Sequence, residues 1–355
     1  MNKLEKARID INQIDAQLAK LFEARMQAVE DVVAYKQANN LAVLDAEREA
    51  QLIENNSKLI DNDKYLKAYQ EWLTATMKIS REYQQHLLSK GIIAYQGVEG
   101  AFAHVASSKL FPNETKHSYP SWEEVFKAVV SGEAQYGVIP FENSYTGEVG
   151  EVSDLLREYP VYIIQVYDLK IDQNLLGIPG TKISDIKEVY SHPQGLKQSA
   201  KFFKGRDVEL KPYANTALAA KYVHDCNDYR KAAIASEQTA SLYDLEILER
   251  DIQTSNDNTT RFIVISTELN KSGNRFQLIF DVKNETGTLA NAIDIIANAG
   301  FNMVSIKSRA IPKRSWEYYF NVEIEGSLND PKAQAMLTTL NQQCSMLKVV
   351  GSYER

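Results

Sequence analysis

The first 90 residues contain neither glycine nor proline, so all 16 glycines and all nine prolines lie beyond them. Apolar residues in this segment recur with helical spacing, and strand signals are rare. Because glycine and proline interrupt helices, their absence favours long, continuous helices. Residues 1–90 are therefore predicted to form a small all-α domain.

The pattern changes at Gly91. Short β-branched runs such as IIAYQG, YGVIPF and RFIVIS alternate with amphipathic stretches such as WEEVFKAVVSG. This alternation predicts α/β units with mainly parallel sheets over residues 91–268. KSGN (271–274) is typical of a linker, and residues 275–355 predict the ferredoxin-like order β-α-β-β-α-β.

Composition excludes several classes of function. The formal net charge of −7 argues against general nucleic-acid binding, and any anionic ligand is expected to meet locally clustered cations. The N-terminus lacks the apolar core of a signal peptide, so a cytoplasmic location is expected. Cys226, Cys344 and the five histidines are scattered along the chain, which predicts no disulfide, no metal and no cofactor.

Three cations lie along the apolar seam of the first helix. Arg25 occupies a heptad position otherwise filled by aliphatic residues, and Arg8 and Lys36 border the same seam. They are either surface side chains or ligands of an anion between Arg25 and Lys36, which lie roughly 16 Å apart along a helix. Arg8, roughly 25 Å from Arg25, can reach that anion only from a second, antiparallel chain. The functional unit would then be a dimer.

The next two helices carry polar groups at suggestive positions. Asp45, Arg48 and Glu49 share one face of the second helix, although an N-cap with a local ion pair is the preferred explanation when they are taken alone. Ser80 and Gln84 interrupt the apolar stripe of the third helix, which is unfavourable unless they face a polar ligand.

Residues 1–90 resemble the all-helical class of chorismate mutase. Chorismate rearrangement is pericyclic, so the protein must hold a compact conformer and stabilise the charge that develops. The resemblance implies that Arg25, with Arg8 of a second chain, grips carboxylates, assisted by Ser80. It also implies that Lys36 and Gln84 donate to the ether oxygen, that Glu49 and Arg48 hold the ring hydroxyl, and that Asp45 binds substrate or only caps its helix.

Polar clusters follow the strands of the central block: PFENSYTG, SHPQG, NTA and the TTRF that opens RFIVIS. Ligands of open α/β sheets bind beyond the strand ends. Taken alone, SHPQ is equally typical of a strand-to-helix turn with an N-cap.

These clusters resemble prephenate dehydratase over the whole of residues 91–268. The resemblance implies two α/β lobes with a cleft between them, similar to periplasmic-type binding proteins. One departure is the first motif, Gly97–Ala103, which lacks two hydroxyls of the family pattern, so that contacts to a ligand pass to backbone amides or are lost. The matching residues are Pro140, Glu142, Asn143, Ser144 and Gly147, then Ser191, His192, Pro193 and Gln194, and finally Thr260, Arg261 and Phe262.

Prephenate must lose carbon dioxide and its ring hydroxyl to become phenylpyruvate, and the hydroxyl departs only with help from a donor. The resemblance implies that Thr260 is this donor. A threonine does not titrate near neutrality, so Thr260 is expected to polarise the leaving group, with His192 as a candidate proton source. Arg261 is expected to bind a carboxylate or orient Thr260. Further expected substrate contacts are Glu142, Asn143, Ser144, Ser191, Thr216 and Phe262.

Residues 275–355 resemble the ACT domain, an amino-acid-binding regulatory module, through TGTLANAI (286–293) and GFNMVSIKSRA (300–310). Lys307 stands where enzymes of aromatic pathways usually have glutamate. A purely structural dimerising module is the alternative. The expected effector-binding residues are Gly287, Leu289, Asn302, Ser308 and Arg309.

Together these patterns predict a multidomain, bifunctional enzyme of phenylalanine synthesis that acts on chorismate and then prephenate. Feedback by phenylalanine and a homodimer or higher homo-oligomer are expected. The alternatives are a non-catalytic sensor of aromatic amino acids, or a chain that retains only one of the two activities.

Overall fold

A computed structural model of the chain describes residues 2–39, 41, 43–89, 91–255, 257–312, 314 and 316–355, without the side chain of His86. The chain divides into two compact units. One is built on residues 1–90 and the other on residues 91–130 and 134–355.

The first unit is helical, as predicted. It consists of α1 (Lys3–Ala38), α2 (Ala46–Ser57) and α3 (Asp63–Leu88). An Asn2–Glu5 capping box starts α1, and side-chain caps from Asp45 and Asn62 start the other two helices. These caps satisfy backbone donors that would otherwise lack partners at the helix ends.

The long helix α1 leaves much of its apolar seam uncovered. Only Val33 is buried along its 36 residues. Leu21 is 66% exposed, and Ile11 and Ile14 are each 55% exposed. A contiguous apolar stripe of this kind marks an interaction surface.

The second unit begins with two α/β lobes. The first contains β1 (Ile92–Gln96), α4 (Phe102–Leu110), β2 (Thr115–Tyr119), α5 (Trp122–Val130), β3 (Tyr136–Asn143), β4 (Gly147–Glu148), α6 (Gly150–Glu158) and β5 (Tyr162–Lys170). The second contains β6 (Asn174–Gly177), β7 (Glu188–Ser191), α7 (Pro193–Phe203), β8 (Glu209–Pro212), α8 (Thr216–Cys226), β9 (Lys231–Ala235), α9 (Glu237–Leu242) and β10 (Glu246–Glu249). The chain then returns to the first lobe as β11 (Thr259–Ser266).

The return of the chain explains why the sheets are more mixed than predicted. In the first lobe β1 pairs in parallel with β2 and β3, but β11 comes back from the second lobe and runs antiparallel to both β3 and β5. The second sheet has the order β10-β6-β9-β7-β8, and its β6 is antiparallel to both neighbours.

Two crossing segments join the lobes and are bonded to each other. The backbone N–H of Ile252 donates to the carbonyl oxygen of Gln173 (2.8 Å), and the N–H of Ile171 donates to that of Asn258 (2.8 Å). Each lobe has its own apolar core, so these crossings form a natural hinge.

The C-terminal part has the predicted ferredoxin-like order. Its elements are β12 (Arg275–Asp281), α10 (Thr288–Asn298), β13 (Asn302–Ala310), β14 (Tyr318–Glu325), α11 (Pro331–Asn341) and β15 (Met346–Tyr353), in the sheet order β13-β14-β12-β15. At its edge β15 pairs with β5 at Gly351 and Ile163, which makes the two sheets continuous. A Cβ atom at Gly351 would lie 2.2 Å from the carbonyl oxygen of Ile163, so only glycine permits this approach.

None of the helices in the described part of the chain is long and apolar enough to span a membrane.

Candidate active sites

A cleft lies between the two α/β lobes. It contains a cavity of about 190 Å³ and a neighbouring one of about 490 Å³. Three helices begin at the walls of the cleft: α4 after its N-cap Ala101, α7 after its N-cap His192, and α8 after its N-cap Asn215. Helix N-termini offer unpaired backbone N–H groups and a positive dipole end, so this cleft is suited to anions.

The described residues that line these two cavities include no lysine and no arginine. These two cavities therefore lack the clustered cations that an anionic ligand was expected to meet. Helix ends and amide side chains take their place, because they supply donors without formal charge.

Asn143 and Thr260 are directly opposite one another on β3 and β11. The side-chain amide Nδ2 of Asn143 donates to Oγ1 of Thr260 (2.9 Å). Because this oxygen is engaged as an acceptor, the hydroxyl hydrogen of Thr260 is free to point at a ligand. Both residues line the inner cavity, as expected.

Alternation along β11 sends Arg261 to the other face of the sheet from Thr260. Its guanidinium donates to Glu142 (3.2 Å) and to Asp168 (3.2 Å), and neither Arg261 nor Glu142 lines the cleft cavities. The structure therefore does not bring these two residues, which are predicted to contact substrate, to the cleft cavities. Phe262, 1% exposed, returns to the cleft side and lines the larger cavity.

Two serines that are predicted to contact substrate form hydrogen bonds with the backbone instead. The hydroxyl of Ser191 is buried and donates to the carbonyl oxygen of Ile234 (2.7 Å). The hydroxyl of Ser144 donates to the carbonyl oxygen of Asp257 (3.0 Å) and accepts from the N–H of Thr259 (3.0 Å). Neither serine lines the two cavities.

His192 and Thr216 both reach the inner cavity, as predicted. His192 is also the N-cap of α7, and its Nδ1 accepts the backbone N–H of Gln194 (3.3 Å). The neutral imidazole therefore carries its hydrogen on Nε2. The capping and binding interpretations of SHPQ are compatible.

Three amide side chains in the cleft were missed by sequence reasoning: Gln173, Gln198 and Asn258. Asn258 precedes Thr259 in a polar run at the start of β11, which was an available signal. Gln173 lies in a crossing segment and Gln198 on the second turn of α7, where no local pattern marks them.

The altered first motif keeps a role through its backbone. Ala101 caps α4 without any side-chain hydrogen bond, which leaves backbone N–H groups of the first turn for a ligand. Gly100 has φ +84°, and an added Cβ would lie 3.0 Å from Leu242 of the second lobe. The hydroxyl of Thr239 donates to the carbonyl oxygen of Gly100 (2.9 Å), so the lobes touch at this turn.

The helical unit brings some of its predicted residues together. Arg25 of α1 donates to the hydroxyl of Ser80 on α3. Gln84, one turn further on, donates to the carbonyl oxygen of Ser80 (3.3 Å). The Oε1 atom of Gln84 is buried and has no partner among the described residues. Lys36 donates to the carbonyl oxygen of Val43 in the segment between α1 and α2.

Glu49 differs from the prediction in its partner. Its carboxylate is ion-paired with Arg81 of α3, not with Arg48, which is exposed. Asp45 accepts the N–H of Arg48 (2.9 Å) as the N-cap of α2, so capping accounts for this residue. Arg8 is exposed on α1.

The predicted effector residues of the C-terminal fold do not converge. Gly287 starts α10 with φ +87°, and Leu289 packs against the core. Asn302 donates to Glu325 (3.1 Å), whereas Ser308 is exposed. Arg309 instead faces the first lobe, where it donates to Asp154 of α6 (2.8 Å).

Comparison with known families identifies the cleft-bearing part. Residues 93–270, half of the chain, match the family model Prephenate dehydratase. The chain belongs to the prephenate dehydratase family. Within this prephenate dehydratase family member, residues 7–85 also match the model Chorismate mutase type II.

Relatives of this dehydratase family member span its whole length. A bifunctional chorismate mutase/prephenate dehydratase of Buchnera aphidicola subsp. Acyrthosiphon pisum is 29% identical over 99% of this chain and 96% of its own. Among solved structures, GqqA, described as a novel type of quorum quenching acylases, is 29% identical with a TM-score of 0.68, over 74% of this chain and 97% of its own.

A prephenate dehydratase of Arthrobacter aurescens in complex with L-Phe is 24% identical with the same TM-score of 0.68. It covers 74% of this chain and 90% of its own. This second similarity concerns the fold.

Proposed function

We propose that the chain converts chorismate to prephenate in a helical domain (1–90) and prephenate to phenylpyruvate in a two-lobed domain (91–268). Both family models match, and full-length relatives carry both names. The observation that carries the second step is the Asn143–Thr260 hydrogen bond inside a cleft onto which three helices open.

The dehydratase chemistry suits this cleft. Prephenate carries two carboxylates, and the N-termini of α4, α7 and α8 offer backbone donors to them. The hydroxyl of Thr260 polarises the leaving oxygen, and the amide of Asn143 holds that hydroxyl in position. His192 lines the inner cavity at the N-terminus of α7 and is the proposed source of the proton that leaves with water; it delivers that proton as an imidazolium, in which Nδ1 no longer accepts from Gln194.

The mutase chemistry suits the Arg25–Ser80–Gln84 cluster. A guanidinium fork binds a carboxylate in two places, and Ser80 positions Arg25 for that purpose. Lys36 and Gln84 offer donors to the ether oxygen, on which charge grows in the transition state. Glu49, which is ion-paired with Arg81, is proposed to accept a hydrogen bond from the ring hydroxyl.

The exposed seam of α1 supports a homodimer in which Arg8 of one chain completes the site of the other. The C-terminal domain (275–355), with its ferredoxin-like order and the TGTLANAI stretch, is proposed to be an ACT domain. Phenylalanine, the product to which phenylpyruvate leads, is the effector to test first. The expected cytoplasmic location stays a prediction.

The test is incubation of the chain with chorismate, following the loss of chorismate absorbance and the appearance of phenylpyruvate. Lys36→Ala is expected to stop the first step while prephenate is still consumed, and Thr260→Ala is expected to do the reverse. Binding of chorismate or prephenate without turnover would support a non-catalytic sensor instead. Loss of both steps in either variant would refute two independent sites.

A further inference from the structure

Asn258 occupies an unusual position in the cleft. It is 3% exposed, directly precedes β11 and lines the inner cavity. Its Oδ1 accepts a hydrogen bond from Nδ2 of Asn143 (2.8 Å). Its own Nδ2 is buried and has no hydrogen-bond partner among the described residues.

The orientation of the Asn258 amide is fixed indirectly, because backbone N–H groups orient Asn143 and Asn143 is bonded to Asn258. The N–H groups of Tyr145 (3.0 Å) and Thr146 (3.2 Å) both donate to Oδ1 of Asn143. Nδ2 of Asn143 must therefore point towards Asn258, Thr260 and the carbonyl oxygen of Thr259 (3.3 Å), all of which lie within hydrogen-bond distance of it. Asn258 in turn has to present Oδ1 to Asn143, which leaves its Nδ2 as the free end.

The result is two donors side by side. The hydroxyl hydrogen of Thr260 and the amide N–H of Asn258 are both free, and both side chains meet at the same nitrogen of Asn143. A buried amide donor without a partner costs about 1–3 kcal/mol. An oxygen atom of a ligand would offset this cost, and such unsatisfied groups concentrate at functional sites.

We propose that Asn258 is a catalytic residue which, together with Thr260, donates a hydrogen bond to the ring hydroxyl of prephenate as that oxygen departs. This role rests on the proposed dehydratase function. The helix N-termini are proposed to bind the carboxylates. Asn258 and Thr260 lie at the start of β11 and donate to a different part of the substrate, the ring hydroxyl.

The step balances without a cofactor. The bond between the ring carbon and its carboxylate breaks, and its electron pair enters the ring as carbon dioxide leaves. The bond between the opposite ring carbon and the hydroxyl oxygen breaks with its pair on oxygen, which takes one proton and leaves as water. Neither an amide nor a threonine ionises near neutrality, so the two donors stabilise charge while the proton comes from a titratable group or solvent.

The substitution that isolates this role is Asn258→Asp in the full chain. It retains Oδ1 as the acceptor for Asn143, removes the Nδ2 donor and introduces a carboxylate, whose charge the second variant, Asn258→Leu, does not share. The dehydratase kcat is expected to fall about 100-fold or more, as on loss of one oxyanion-hole donor. Phenylpyruvate lacks the ring hydroxyl, so its inhibition constant is expected to stay within about twofold, which a merely structural role would not produce. Asn258→Leu should give the same two results.

Asn174→Asp is the matched control. Asn174 is another 3% exposed amide beside the hinge, but it does not line the two cleft cavities. The dehydratase kcat of the Asn174→Asp variant, per folded molecule, is expected to stay unchanged.

A kcat for Asn258→Asp within threefold of wild type overturns the role, as does a rise in KM alone or a parallel loss of phenylpyruvate binding. An inactive wild-type chain refutes the proposed function itself, so the two failures are distinguishable.

Discussion

Nζ of Lys307 lies 2.6 Å from Oε1 of Glu142, which joins the C-terminal fold to the residue next to Asn143. Glu142 also accepts from Arg261, the neighbour of Thr260. Ion pairs therefore hold the face of β3 and β11 that lies opposite the cleft. Lys307 is the residue at which this chain departs from the usual glutamate of the ACT pattern.

Lys307→Met should lower dehydratase kcat about three- to tenfold by loosening β3 and β11, while mutase activity is unchanged. A continuous assay for each step measures both effects. Lys332→Met, which alters an exposed lysine on α11, is the control. Equal effects of the two substitutions would show that the Lys307 contact is only a surface ion pair.

Asp154→Asn should destabilise the second unit by about 1.5–3 kcal/mol, because charge-assisted bonds of this strength are lost. Asp154 accepts from Arg309 (2.8 Å) and from the hydroxyl of Tyr319 (2.7 Å), and Tyr319 is fully buried. Denaturant unfolding followed by tyrosine fluorescence measures the change. An unaltered midpoint would mean that this contact does not hold α6 against the C-terminal sheet.

Arg81→Ala should lower the mutase kcat/KM about tenfold, because Glu49 loses the partner that orients it. Arg48→Ala, on an exposed side chain, is expected to stay within about twofold if orientation of Glu49 is what matters. Mutase kinetics on the two variants decide between the arginines. A larger loss in Arg48→Ala would favour the direct substrate contact that the resemblance implies.

Arg8→Ala and Lys36→Ala should each abolish mutase activity, yet a refolded mixture of the two should recover it. In a mixed dimer one site carries both substitutions and the other carries neither, so about a quarter of wild-type activity is expected. Each variant refolded alone is the control. No recovery would place Arg8 of the same chain, or no Arg8 at all, in the site.

Stability should rise between pH 8 and 10 through Lys348. Burial lowers its pKa from 10.5 to about 8, although its ammonium donates to the carbonyl oxygens of Leu156 and Tyr159. Below pH 8 the folded chain keeps a charge that burial disfavours, and above it the folded chain releases the proton before the unfolded chain does. Unfolding midpoints across this range should climb in the wild type and flatten in Lys348→Met. An identical slope in both would exclude Lys348 as the cause.

Local patterns in the sequence determined several features of the fold. The absence of glycine and proline predicted the three helices, the alternation of runs predicted the α/β lobes, and the spacing after residue 274 predicted the ferredoxin-like order. The position of Thr260 at the start of a strand predicted a ligand there, and in the structure Thr260 lines the cleft beside Asn143. Such features follow from short-range periodicity and strand-end position, which the chain carries locally.

Only the tertiary structure decided which polar residues share a site. Arg261 follows Thr260 in sequence but faces away from the cleft, because successive strand residues alternate between the two faces of a sheet. Glu49 is ion-paired with Arg81 and not with its neighbour Arg48, because packing of α2 on α3 brings together residues that are distant in sequence. Nδ2 of Asn258 lacks a partner because backbone N–H groups more than a hundred residues away fix the orientation of Asn143, to which Asn258 presents its Oδ1. Hydrogen-bond partners across a fold depend on register and packing, and no local pattern encodes them.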